Sequence, residues 1–243
     1  MEIINDVVNY SKYYSGKDVP PVFYHERFDL KGKLFVPVDD FKLGQKLSDN
    51  MQEEVILHYF EYDSKQNRLL ANNLADKDMH AKVYAVTSPD FSVDSTKCWQ
   101  CLNDGNILKS RICAYRWQSE CGLPVILTLI WGEDKNTYKL AFGNVEKESV
   151  VAVSSQGVED QQTFENGIRV AIDTIQPEYI CWYGKVFDFM KNYYDKSRII
   201  KMQPRRQLMK MIKKKNSQEA LLFDICQKRE TPLARRFFVG IDI

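Results

Sequence analysis

The chain reads as an α/β protein: a mainly parallel sheet, or a partial (β/α) barrel, with covering helices and a basic helical C-terminal tail. Three observations predict this. Short apolar segments alternate along the chain with segments of helical period. The apolar segments run without polar alternation, as strands buried on both faces do. Positive charge collects at one end: residues 198–243 hold 12 Lys and Arg against 4 Asp and Glu, leaving 22 basic and 29 acidic residues in 1–197. The 243 residues therefore divide into an α/β domain over 1–197, with an irregular N-terminal segment, and a basic helical extension over 198–243.

The elements follow in order. Residues 16–40 mix prolines, aromatics and charges without a sustained period, and only "KLFVPV" (33–38) reads as a short strand. Pro37 has no ladder donor, so that strand belongs at an edge. "VILHYF" (55–60) is a strand, and "DSKQNRLLANNLADKDM" places Leu69, Leu70 and Leu74 on a helix. "KVYAVTS" (82–88) is the next strand. Residues 96–122 are helical on both sides of an Asp-Gly-Asn break, and Gly122 is placed as a C-terminal cap. "PVILTLIW" and "KESVVAVSS" are buried strands. "DQQTFENGIRVAIDTIQ" puts Phe164, Ile168, Ala171, Ile172 and Ile175 on one helix face. "EYICWYG" is a strand and "KVFDFMKNYY" a helix, so five or six strands are expected.

Parallel strands leave their carboxyl ends on one edge, and ligands bind there. The residues after each strand are thus the candidate ligand rim. "VYAVT" is followed by Asp90 and Ser92, and "VILTLI" by Trp131, Glu133 and Asp134. "VVAV" is followed by Ser154, Ser155 and Gly157, and "YICW" by Tyr183 and Gly184. Ser88-Pro89-Asp90 is also turn chemistry, in which Asp bonds nearby backbone, and the glycines also suit strand-to-helix turns. Asp90, Glu133 and Asp134 suit acid–base work or a hard divalent cation. Ser154 and Ser155 need a base beside them to act as nucleophiles. His25, His58 and His80 are badly placed to supply it and read as structural or solvated. No phosphate loop with its Lys is present, and no GxGxxG follows a strand, which disfavours ordinary nucleotide triphosphatases and dinucleotide oxidoreductases.

The stretches "SPDFS" (88–92), "GLPVILTLIWGED" (122–134), "FGNVEKESVVAVSSQGV" (142–158) and "FENGIRVAIDTIQPEYICWYG" (164–184) resemble the domain-of-unknown-function family numbered 4417. That family is carried by bacteria, phages and other mobile elements. The resemblance covers roughly residues 20–195. The family's Ser or Thr before an apolar-Trp step corresponds to Thr128 near Trp131. Its Ser-Thr-Val-Gly corresponds, with a departure, to Ser154-Ser155-Gln156-Gly157. The resemblance implies a domain and a rim but no established activity.

Six cysteines include the CxxC of Cys98 and Cys101, with Cys113 and Cys121 too loosely spaced for a second close pair. They read as reduced thiols. No apolar run reaches the ~18 residues of a spanning helix and no leader pattern opens the chain, so no membrane is expected and the cytoplasm is the expected compartment.

"RIIKMQPRRQLMKMIKKK" (198–215) holds eight basic residues and no acid. A helix starting near Pro204 would carry Leu208, Met209, Met211 and Ile212 as an apolar stripe. Lys201, Arg205, Arg206, Lys210, Lys213, Lys214 and Lys215 would then face DNA or RNA. The same run also suits a solvated packing helix. Three readings stay open: a nucleic-acid-associated mobile-element protein, a small-ligand enzyme or binding domain at the rim (a metal-dependent hydrolase among its forms), and a protein-interaction module.

Overall fold

The computed structural model describes residues 19–20, 28–93 and 100–230. Seven strands form one sheet in sequential order: β1 (Leu34–Pro37), β2 (Val55–His58), β3 (Ala85–Thr87), β4 (Val125–Thr128), β5 (Val151–Ser154), β6 (Ile180–Tyr183) and β7 (Ile199–Lys201). Every neighbouring pair is parallel. The sheet curls into a half-barrel.

Side-chain alternation explains the two apolar layers. Phe35, Ile56, Ala85, Ile126, Ala152 and Cys181, one from each of β1 to β6, meet on the concave side, with Ile200 of β7 against them. Val36, Leu57, Val86, Leu127, Val153 and Trp182 point the other way, into a core shared with the helices. Strands buried on both faces cannot show polar alternation, which is why they read as continuous apolar runs.

Parallel neighbours need long crossovers. These carry α1 (Phe41–Leu47) and α2 (Met51–Glu54), then α3 (Asp63–Ala71) and α4 (Lys77–His80), then α5 (Gln100–Cys121), α6 (Asn136–Phe142) and α7 (Gln161–Ile175). After β7 comes α8 (Arg205–Glu230), which lies along α1. The face expected for α7 is the buried one: Phe164, Ile168, Ala171 and Ile175. Asp160 caps its start by accepting from the amides of Gln162 and Thr163.

The structure departs from the sequence reading in three places. The Asp-Gly-Asn break does not interrupt α5, which runs unbroken from Gln100 to Cys121. Gly105 costs a helix about 1 kcal/mol; Asn103, Ile107, Ser110, Ala114 and Trp117, buried along one face, offset it. Gly122, with φ of +62°, ends the helix as expected. The residues of the helix expected at 96–99, with Cys98, lie outside the described residues, as does His25. "KVFDFMKNYY" is not an α-helix but a short 3-10 turn over Asp188–Asn192. Its buried residues, Phe187 and Met190, are three apart, the period of a 3-10 helix. Finally, residues 199–201, read as part of the C-terminal extension, form the last strand of the sheet. Three residues flanked by basic side chains carry too little apolar pattern to announce a strand.

Candidate functional site

The carboxyl ends of the strands are tied together by side chains. Beyond β3, Ser88 Oγ accepts the Thr128 amide of β4 at 2.8 Å, and Thr128 Oγ1 donates to the Ser88 carbonyl at 2.6 Å. Ser110 Oγ of α5 reaches the same Ser88 hydroxyl at 3.0 Å. Across the other side, the Tyr59 amide donates to Thr87 Oγ1 at 3.0 Å. Gln66 Nε2 donates to the carbonyls of Glu61 at 2.7 Å and Tyr59 at 3.0 Å, and reaches that of Asp90 at 3.4 Å. The loops after β2 and β3 are therefore held as one unit.

Asp90 sits in that unit without acting as its turn former. The acid that closes the loop is Asp63, which accepts both the Ser92 amide and the Ser92 hydroxyl at 3.1 Å. The Asp90 carboxylate has no hydrogen-bond partner among the described residues, although it is only partly open to solvent. Burial, and then the charge of Asp63, push its pKa up to about 7. A carboxyl group in that range holds and releases a proton near neutrality.

Tyr183, at the end of β6, turns to the concave side. Its ring stacks on Phe60, with centroids 5.1 Å apart, and lies 5.0 Å from His58. Burial first, and Glu61 second, raise the Tyr183 pKa. His58 is fully buried with neither ring nitrogen hydrogen-bonded. Burial lowers its pKa to about 3, which keeps the imidazole neutral. The second described histidine, His80, lies in the helix layer against Trp117, with ring centroids 4.5 Å apart. It meets the Tyr59 hydroxyl at 2.6 Å, and that hydroxyl also donates to Asp76, which pairs with Arg68.

The remaining rim residues divide by role. Ser154 is half-buried at the end of β5 and its hydroxyl accepts the Gln156 amide. Ser155 is a staple: its hydroxyl donates to the Lys185 carbonyl at 2.8 Å and accepts the Trp182 indole at 3.2 Å. Gly184 makes room for it, since a Cβ there would lie 2.5 Å from Ser155 Oγ. Gly157, at φ of +75°, faces open space. Asp134 accepts the Asn136 amide at the start of α6, and Glu133 is exposed. Trp131 turns away from the mouth and packs between Phe142 and Phe164. The rim thus brings together Asp90, Ser92 and Tyr183 around residues 60–63. Phe60, Glu61 and Asp63 belong to the same group, and their signal in the sequence is "HYFEYD" (58–63), an apolar strand end running into two acids.

No group of three His, Cys, Asp or Glu suited to a metal ion occurs among the described residues. Cys101, Cys113, Cys121 and Cys181 are free thiols.

The basic segment forms the first turns of α8. Leu208 is fully buried and Met211 packs on the core, while Met209 is exposed. Arg205 forks onto Asp40 at 2.6 and 2.9 Å, and Lys215 reaches Asp49 at 3.2 Å. Arg206, Lys210, Lys213 and Lys214 are exposed at spacings that share one helix face, with no acidic partner among the described residues. Lys201 is exposed on β7.

No helix among the described residues is long and apolar enough to cross a membrane. No solved structure matches the chain. It is similar to "Gene 1 protein" of Mycobacterium phage L5, 33% identical over 134 residues, which cover 54% of this chain and 57% of that protein. The chain therefore spans little more than half the length of this phage relative. Residues 26–203, which hold all seven strands, match the family described as Domain of unknown function (DUF4417), and the chain belongs to that family.

Proposed function

We propose that the mouth of the half-barrel, at the carboxyl ends of β2, β3 and β6, is a site for a small polar ligand, with Asp90 as its proton-exchanging group. One observation carries the reading. The Asp90 carboxylate is shielded from water yet has no hydrogen-bond partner among the described residues, and burial, with the charge of Asp63 second, holds its proton near pH 7. A carboxyl mostly shielded from water that neither caps a loop nor pairs with a cation costs stability, and such costs concentrate at functional sites. The Tyr183 hydroxyl and Ser154 are the neighbouring strand-end groups suited to orient a ligand. The chemistry supported is general acid–base proton transfer. The test is a thermal-shift screen of sugars, nucleosides and their phosphates on the intact chain. A ligand that stabilises the wild type and leaves Asp90→Asn unmoved supports the site. A ligand that binds Asp90→Asn as well as wild type removes the role of Asp90.

A second reading, contact with DNA or RNA, is supported by the four unpaired cations on one face of α8. They lie along about 12 Å of helix at 1.5 Å per residue. They leave the apolar face of the helix free to pack on the domain, so the cations are presented by a fixed support.

A further inference from the structure

We infer that the cleft between β7 and the start of β1 binds an aliphatic-chain carboxylate, apolar chain inward and anionic head at the lysines on its edge. The inference does not depend on the mouth site, whose residues Asp90 and Tyr183 do not line this cleft.

The cleft follows from the crossover between β6 and β7. Where other crossovers place α-helices over the sheet, this one has only the 3-10 turns at Asp188–Asn192 and Lys196–Arg198. The outer side of β7 is left thinly covered, and no residue of that strand is fully buried. A cleft of about 690 Å³ results. Ligand pockets run roughly 300–1,000 Å³. Its apolar wall comes from separate elements: Leu34 of β1, Ile199 of β7, Val186 and Met190 of the crossover, and Met211 of α8. On the barrel side the seam is shut by Gln203, whose Oε1 accepts the Phe35 amide at 2.9 Å.

The charge around the cleft is one-sided. Lys31, Lys33, Lys191, Lys196 and Lys201 line it against one acid, Asp188. Asp188 is taken by Lys191 at 2.8 Å, and Lys33 donates to the Glu53 carbonyl. Lys31, Lys196 and Lys201 are exposed and have no acidic partner among the described residues. An apolar trough beside unpaired ammonium groups is complementary to a chain with an anionic end. Phe187 and Tyr194 are the aromatic residues of the lining, and the rest of its apolar wall is aliphatic side chains and methionines, which suit methylene groups.

The experiment is calorimetric titration of the full chain with octanoate, with 1-octanol and acetate as separate arms. Octanoate is expected to bind one per chain, 1-octanol roughly tenfold more weakly, and acetate not measurably. Lys31→Gln with Lys201→Gln, both exposed and harmless to folding, should weaken octanoate roughly tenfold. Val186→Trp should fill the trough and remove binding. No octanoate binding by the wild type overturns the inference. So does equal binding of 1-octanol, or octanoate binding that the lysine pair leaves unchanged. Displacement of octanoate by a thymidine oligonucleotide at matched ionic strength would assign the cleft to a polyanion and overturn it as well.

Discussion

Asp63, the first residue of α3, and Ser92, in the loop after β3, meet beyond adjacent strands: the Asp63 carboxylate takes both donors of Ser92, amide and hydroxyl, at 3.1 Å. That pairing releases Asp90 from turn duty and places a second negative charge beside it. The electrostatic cost of Asp90 follows from its burial together with this geometry.

Asp90→Asn is therefore expected to stabilise the protein at high pH. The folded pKa of Asp90 is about 7, above the 3.8 of an unperturbed Asp, so the folded state holds the proton more tightly. Its contribution is fully present below pH 3.8 and is lost as pH rises through about 7. Above that, the ionised carboxylate is a net penalty, and the partly open group sets it at about 1–3 kcal/mol. Urea unfolding at pH 5 and pH 8 checks this. Identical stability of variant and wild type at pH 8 would contradict it.

Asp63→Ala should lose the two hydrogen bonds that close the loop, costing about 1–2 kcal/mol. It should also lower the Asp90 pKa, because the neighbouring charge is gone. Carbon NMR of the Asp90 carboxyl reads this directly. An unmoved titration would mean that burial alone sets it.

His58→Leu tests the concave core. The His58 pKa is lowered to about 3 against an ordinary 6.5, so its contribution is present above pH 6.5 and is lost as pH falls toward 3. Leucine removes two buried, unpartnered nitrogens, and such a change is expected to be neutral or stabilising near pH 7. Denaturation midpoints should fall less steeply between pH 6 and pH 4 than in the wild type. His80, with its pKa lowered to about 4, leaves a residual slope. A large loss of stability at pH 7 would show that the imidazole has a partner.

Gly167→Ala should destabilise, since a Cβ there would lie 2.0 Å from the Trp131 indole nitrogen. Overpacking of this kind costs typically 1–3 kcal/mol. Trp131→Phe should relieve part of it, giving a non-additive double-mutant cycle. Additive effects would contradict the close approach.

Changing Arg206, Lys210, Lys213 and Lys214 together to Gln tests the nucleic-acid reading. Binding of a duplex or single strand, measured by anisotropy, should weaken. Its log–log salt slope should flatten by roughly 0.7–0.9 for each phosphate that the variant no longer neutralises. The variant should fold as the wild type, because all four side chains are exposed. No binding by the wild type at low salt would remove this reading.

The sequence by itself determined the layer order and the parallel sheet. Apolar runs such as "VILTLI" and the helical face of Phe164, Ile168, Ala171 and Ile175 are local patterns that burial imposes residue by residue. It also grouped the strand ends, because parallel connectivity puts every carboxyl end on one side. Tertiary structure alone decided which strand-end side chains face the mouth. Trp131 and Tyr183 both follow apolar strands, yet Trp131 enters the helix layer beside Gly167 and Tyr183 turns inward onto Phe60. It decided that Asp63 holds Ser92 and leaves Asp90 free, a pairing 29 residues apart in the chain. It also decided that "KVFDFMKNYY" stays a short 3-10 turn and opens a cleft beside β7. Local pattern reports whether a residue is buried; what buries it depends on partners brought together from distant parts of the chain.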